Sequence, residues 1–419
     1  MSSGVEQRPG SDWVDVARQR LLRTYPDTDV VFVSGRGSWL VDAEGKEWLD
    51  LLSGIAVTSL GHAHPAVTAA VTAQVGTLVH TSNLFLSPPA LELGERLATL
   101  VGWPDARMFF AQCGATANEA AIKLARRHGK LQHPAKVRVV TLEGSFHGRT
   151  LATLEATGQA AKHEPFAPLA GFVDTVAHDD PAALTAAVGP DTCAVMLEVV
   201  QGEGGVRPLS PEMLAAARTA CDAHGALLIV DEVQTGVGRT GSWFAFHRTD
   251  VVPDVVTLAK ALGNGMPIGV CIAHGAAADA FRPGEHATTF GGNPVTAAAA
   301  LAVIDVIEAE GVLDAVATRA AHLRMGLADI GARTGAVREV RGVGLLLGVV
   351  LTGPFAADVA ARCRAERVVV NAVGPDVLRL APPLNLSAEE AEHALTVLGR
   401  TIGAAAAAAS ATSGSEARP

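Results

Sequence analysis

Short apolar runs alternate with helical periodicity through most of the chain. Arg107–Ala111, Val137–Leu142, Cys193–Glu198, Ala226–Asp231, Asp254–Thr257 and Gly269–Ala273 are brief apolar stretches between turn residues, which reads as buried strands. Apolar positions recur at helical spacing over Thr116–Arg127, Pro211–His224 and Pro294–Glu310. Strand and helix in alternation predict an α/β fold, a mostly parallel sheet with helices on both faces. Ligands of such sheets sit beyond the carboxyl ends of the strands. Nearer the C-terminus the pattern changes. Val340–Leu351 reads as one strand, Ala356–Ala365 as a helix, and Val368–Asn371 and Val377–Leu380 as short strands before a helix over Ser387–Ile402. That is a small α+β domain, joined to the large one by the long helix from Pro294.

Length and charge narrow the reading. The chain has 419 residues, 49% hydrophobic and 18% charged, enough for two domains, with net charge −10 and no basic stripe. Nucleic acid is therefore not an expected partner. Five scattered cysteines without a CxxC pair argue against a disulfide framework. The polar first residues lack a signal-type apolar core, and no apolar run reads as a membrane span, so a cytoplasmic protein is expected. Residues 1 to about 12 and 404–419 have little to bury and are expected to be mobile.

Candidate chemistry gathers at strand ends. Ala226-Leu-Leu-Ile-Val-Asp231 ends in an acid, and Asp254-Val-Val-Thr-Leu-Ala-Lys260 ends in a lysine followed by Ala-Leu-Gly. Taken alone, Asp231 serves equally as a turn cap and Lys260 as a snorkelling strand-end lysine. As a pair they suit pyridoxal phosphate, which takes an amine on its aldehyde and a carboxylate at its ring nitrogen. Gln234 and Val233 follow Asp231 closely enough to meet the same ring. Gly114-Ala115 opens a helix directly after a strand, where free backbone N–H groups hold phosphate. Thr288-Thr289-Phe-Gly-Gly-Asn-Pro is a second small-residue loop before a helix. Phe146-His-Gly-Arg149 offers an aromatic face and a guanidinium for a carboxylate. Arg379 lies inside an apolar strand and needs an anion, for which Glu203 is a candidate.

Two motifs are decoys. Gly236-Val-Gly-Arg-Thr-Gly241 matches the dinucleotide fingerprint that an oxidoreductase would carry, but it starts beyond its strand and opens no helix. His62 and His64 lack further ligands, so no metal is expected.

From about Asp27 to Ile402 these segments resemble the class III pyridoxal-phosphate aminotransferases, and within them the acetylornithine branch. The likeness rests on Leu60-Gly-His-Ala-His-Pro65, His80-Thr-Ser-Asn-Leu-Phe85, Ser145-Phe-His-Gly-Arg-Thr150, Asp231-Glu-Val-Gln-Thr-Gly-Val-Gly-Arg-Thr-Gly241, Thr257-Leu-Ala-Lys-Ala-Leu-Gly263, Thr289-Phe-Gly-Gly-Asn-Pro294 and Arg379-Leu-Ala-Pro-Pro-Leu384. The resemblance implies fold type I: a seven-stranded-type, mostly parallel sheet in a large domain over 61–305 and a small α+β domain over 306–403. Residues 1–60 would pack on the small domain, and 404–419 would be a disordered tail.

The resemblance also implies roles. Lys260 would carry the cofactor, Asp231 hold its ring nitrogen and Gln234 its phenolic oxygen, with Val233 and Phe146 on the two faces. Gly114, Ala115 and Thr289 would hold the phosphate, Thr289 from the second subunit of a homodimer. Arg149 would bind the remote substrate carboxylate, and Arg379, released from Glu203, the α-carboxylate of glutamate. Thr288 and Asn83 would line the substrate channel. The implied reaction moves the δ-amine of N2-acetylornithine to 2-oxoglutarate. The alternative donor is ornithine, 4-aminobutyrate or a secondary-metabolite diamine. One stretch departs from the family: Gln112-Cys-Gly-Ala-Thr-Ala-Asn-Glu119 replaces Asn-Ser-Gly-Ala-Glu-Ala-Asn-Glu, and Glu198 is followed by Val199 where relatives carry proline.

Overall fold

The computed structural model describes residues 9–416. Its centre is a seven-stranded sheet in which five adjacent strands pair in parallel: Val255–Leu258, Leu227–Asp231, Thr192–Leu197, Arg138–Leu142 and Val173–Val176. Gly269–Ala273 joins antiparallel beside Val255–Leu258, and Arg107–Ala111 pairs antiparallel with Gly269–Ala273. Every residue of Thr192–Leu197, Leu227–Asp231 and Val255–Leu258 is buried. Strands covered on both faces read as continuous apolar runs, which is why the pattern was legible. Val173–Val176 escaped that reading. It is a sheet-edge strand, only partly buried and interrupted by Asp174 and Thr175.

The helix Gly114–Gln132 packs its Ala120, Ala121, Ile122, Leu124 and Ala125 into the core against the sheet. Pro294–Ala309 is followed at once by a second helix, Val312–Thr334, that the apolar pattern had not separated. Gly311 breaks the two in a left-handed conformation (φ 60°).

The small domain differs from expectation in two places. Val340–Leu351 is not one strand but a hairpin, Val337–Val343 with Leu346–Leu351, because Gly342 and Gly344 take positive φ and turn the chain. The closing helix runs Ala388–Glu416, so the expected disordered tail is helical to Glu416. Its alanine run is the best helix-forming sequence available, and Ala405 is buried. The N-terminal strands Phe32–Arg36, Trp39–Asp42 and Glu47–Asp50 form one sheet with Val368–Val369 of the small domain. Residues 10–12, expected to be mobile, begin the helix Gly10–Arg20; the rest of that stretch, 1–8, lies outside the described residues.

Among the described residues one helix, over Ala388–Ala411, is long and apolar enough to cross a membrane, which corrects the expectation of no such run. It is amphipathic rather than uniformly lipophilic. Ala391, Ala394, Leu398, Ile402 and Ala405 face the core, packed against the helices Val312–Thr334 and Ala356–Ala365.

Candidate active site

Asp231 ends its strand beside Thr257 of the neighbouring parallel strand. Lys260 follows that second strand closely, so two parallel carboxyl ends bring an acid and an amine together. Both line one cavity of about 390 Å³. Lys260 sits at φ 43°, a left-handed backbone that a long side chain rarely adopts and that is common at functional sites.

On the floor of the cavity a hydrogen-bond network centres on Asp231. Asp231 Oδ2 accepts from Asn118 Nδ2 at 2.7 Å and from His147 Nδ1 at 2.8 Å, while Oδ1 accepts from the Val233 amide at 3.0 Å. Asn118 also donates to the His147 carbonyl and accepts from Thr257 Oγ1 at 2.6 Å. Burial pulls the His147 imidazole down, but the bond and charge of Asp231, with the charge of Glu198, outweigh it and raise its proton affinity. Its Nε2 is buried without a partner. Glu198 accepts from the Phe146 amide at 3.1 Å and the Gly202 amide at 3.3 Å, and burial raises its carboxyl. Burial, then the Arg379 charge, lowers Lys260; Asp231, Glu203 and Glu198 oppose this. Its amine makes no hydrogen bond among the described residues.

Helix Gly114–Gln132 points its start into the same cavity, and Gly114 and Ala115 line it. A Cβ on Gly114 would stand 2.6 Å from Val233 Cγ1, so the helix start and the Asp231 loop touch only because residue 114 has no side chain. The unusual stretch 112–116 keeps a closed cap. Thr116 Oγ1 accepts from the Gln112 and Cys113 amides at 3.2 and 3.1 Å, doing with a hydroxyl what a carboxylate does in a capping box.

The rim is cationic. Arg379 is 1% exposed, and its Nη1 donates to Glu203 Oε1 at 2.5 Å and to Gln234 Oε1 at 3.4 Å. Nε reaches Asn371, while Nη2 is buried without a partner. Burial would raise the Glu203 carboxyl, but Arg379, Lys260 and Lys162 hold it below its ordinary value. Arg149 is exposed, has no ion pair among the described residues, and lies 5.7 Å from the Phe146 ring centroid.

Phe146, Arg149, Glu203, Val233 and Gln234 also line the cavity. Asn83, Thr288 and Thr289 do not. Asn83 Nδ2 donates to the Thr288 and Gly291 carbonyls at 3.1 and 3.0 Å. Asn83 and Thr289 line a separate cavity of about 210 Å³. Gln112, bonded to Thr288 Oγ1 at 2.5 Å, links that loop to the main cavity.

Both decoys have structural uses. Arg239, at the centre of the glycine motif, is wholly buried and donates to the carbonyls of Leu345 (3.1 Å) and Pro382 (2.5 Å) and to Ser59 Oγ (3.2 Å). It ties the N-terminal segment to the small domain. His62 Nε2 lies 2.8 Å from Asp50 Oδ2.

The model of the family "Aminotransferase class-III" matches residues 23–402. The chain belongs to the class III aminotransferases. Its relatives include the acetylornithine aminotransferase of Streptomyces coelicolor, 49% identical over 90% of this chain and 92% of that protein. The acetylornithine aminotransferase of Mycolicibacterium smegmatis is 47% identical over 92% of this chain and 97% of its own length. Among solved structures, the N-acetylornithine aminotransferase of Stenotrophomonas maltophilia superposes with TM-score 0.81 at 38% identity, covering 94% of this chain and all of that one. Ornithine aminotransferase from Toxoplasma gondii gives 0.90 at 30% identity, covering 95% and 96%.

As a class III aminotransferase the chain is a pyridoxal-phosphate enzyme of fold type I. The cavity suits that cofactor. It offers an amine without a hydrogen bond among the described residues, a buried carboxylate in the same lining, a 19-residue helix opening on glycine, and an aromatic ring. Several lining residues were missed from sequence, three with polar or charged side chains buried in the network or beside it. Asn118, His147 and Glu198 each belong to a run already singled out, but nothing in one dimension aims His147 at Asp231, a separation of 84 positions.

Proposed function

We propose that this enzyme moves the δ-amino group of N2-acetyl-L-ornithine to 2-oxoglutarate, releasing N-acetylglutamate 5-semialdehyde and glutamate, as in arginine biosynthesis. The names of its relatives support that donor. The observation that carries the reading is the contrast between free Arg149 and Arg379 masked by Glu203. An ω-amine donor carries its carboxylate far from the reacting nitrogen, whereas glutamate carries a second one beside it. With Arg379 neutralised, the carboxylate is drawn to Arg149 instead, which fits the donor. Swinging Glu203 aside frees a bidentate site for glutamate or 2-oxoglutarate.

In this reading Asp231 would hold the ring nitrogen protonated, its carboxylate fixed by His147 and Asn118. Val233 and Phe146 would pack on the ring, Gln234 would bond its phenolic oxygen, and Gly114 and Ala115 would hold the phosphate. When bound, the cofactor supplies an electron sink for a carbanion at the substrate carbon. Lys260 Nζ, its proton affinity lowered by burial, would take the proton from that carbon and deliver it to the cofactor side of the bond, so that the amine stays behind when the oxo product leaves.

The reading includes a homodimer. Leu84, Phe85, Leu86 and Phe290 are 86, 70, 79 and 60% exposed, a cluster of apolar side chains that calls for cover. They flank Asn83 and Thr289, so a second copy seated there would bring Thr289 to its partner's phosphate and Asn83 and Thr288 to its channel. It also includes the cytoplasm, where five free cysteines stay reduced.

A donor panel with 2-oxoglutarate tests the assignment. N2-acetylornithine should exceed ornithine, 4-aminobutyrate and putrescine in kcat/KM by roughly tenfold or more. Ornithine or 4-aminobutyrate in first place would sink the donor assignment. Light scattering at a monomer mass would remove the dimer.

A further inference from the structure

Phe146 carries a second cation besides Arg149. The ammonium of Lys162 stands 5.5 Å from the same ring centroid, against 5.7 Å for the Arg149 guanidinium carbon. Neither has an ion pair with a carboxylate among the described residues. Lys162 is half-buried and is aimed by Gln159, whose Oε1 accepts from it. Gln159 is anchored in turn by Nε2, which donates to the Ser145 carbonyl at 3.0 Å. Burial lowers the proton affinity of Lys162, and the neighbouring charge of Arg149 lowers it further, against the pull of Glu203. Two like charges held beside one ring repel unless an anion lies between them. Long side chains otherwise turn away into water at little cost.

We propose that Lys162 and Arg149 form a two-cation site for the remote carboxylate of the substrates, making Lys162 a specificity-determining residue. The inference rests on the reading that this cavity takes donors with a carboxylate far from the amine. It does not depend on which such donor wins. Arg149 supplies the bidentate contact and Lys162 a point charge on its other side. Amines without that carboxylate gain nothing from the pair.

The test compares Lys162→Met and Lys162→Arg with the unaltered holoenzyme, on N2-acetylornithine and on N-acetylputrescine, the same donor without its carboxylate. Cofactor absorbance checks that each variant is folded and loaded. Lys162→Met should raise KM for N2-acetylornithine by about tenfold while kcat moves less than about twofold. The ratio of kcat/KM between the two donors should fall by a similar factor, and Lys162→Arg should restore most of it. A loaded Lys162→Met enzyme with an unchanged ratio, or an equal loss on both donors, overturns the proposal. If the unaltered enzyme prefers ornithine or 4-aminobutyrate, only the donor assignment fails. Those donors also carry a remote carboxylate, so the KM and rescue measurements run on them.

Discussion

The floor and the rim of the cavity are built by opposite rules. On the floor, Asp231 is buried and accepts three hydrogen bonds, and its partners Asn118 and His147 are themselves bonded to the backbone or to Thr257 and Thr157. On the rim, Arg149 lacks a carboxylate partner, as does Lys162 beside the same Phe146 ring, and Arg379 is paired with a carboxylate that reaches solvent. A closed network has one arrangement and holds geometry. A partly satisfied set of charges has several and can exchange partners. The comparison teaches that the chemistry is positioned by the floor, while the choice of substrate is left to groups that can move.

The sharpest way to break the floor is to remove its amine. Lys260→Ala should cut turnover by a factor on the order of 10⁴ and abolish the visible band of the lysine-linked cofactor; a variant keeping both would end this assignment. Asp231→Asn comes next. It keeps the shape but removes the charge proposed to hold the ring nitrogen, and should cost about 10²–10³-fold in kcat. The same change withdraws the main influence raising the proton affinity of His147, which should fall, measurable by NMR titration of the holoenzyme.

Breaking the rim should hurt less and more selectively. Arg379→Ala should raise KM for 2-oxoglutarate by roughly 100-fold and leave the reaction with the amine donor far less affected. Equal damage to both half-reactions would refute the masked-arginine reading.

The smallest effect concerns stability. Glu232 is wholly buried beside Asp231, accepts from the Phe246 amide at 2.9 Å and from Thr235, and burial pushes its carboxyl up to about 7. Between its ordinary carboxylate range and pH 7 the folded state therefore holds the proton that the unfolded state has lost. Stability from this group falls as pH rises through that window, by an amount on the order of 3 kcal/mol. Glu232→Gln should flatten that slope in denaturant titrations at pH 5 and pH 8, and an unchanged slope would dismiss Glu232 as its source.

Two buried arginines sharpen the lesson about reading function from sequence. Arg239 and Arg379 are 0 and 1% exposed, and both interrupt apolar surroundings. Arg239 spends its donors on the Leu345 and Pro382 carbonyls and on Ser59, and burial lowers it to about 9. Arg379 pairs with Glu203, a carboxylate that lines the cavity, and in the proposed function it becomes a ligand when that pair opens. Their sequence contexts do not separate a clamp from a ligand; their partners do.

Apolar patterning along the chain was enough for the covered strands, the helix opening on Gly114, and the acid and amine at strand ends. Each of those signals is local, because burial on both faces or a glycine at a helix start constrains adjacent residues directly. Val173–Val176, the 337–351 hairpin and the helix beyond Gly311 escaped because edge exposure and positive-φ glycines blur periodicity. Folding in three dimensions alone brought His147 and Asn118 to Asp231, Glu203 to Arg379, and Lys162 and Arg149 to one ring. Those contacts join positions far apart along the chain or in different loops, and their energies depend on distance and desolvation, which linear order does not encode.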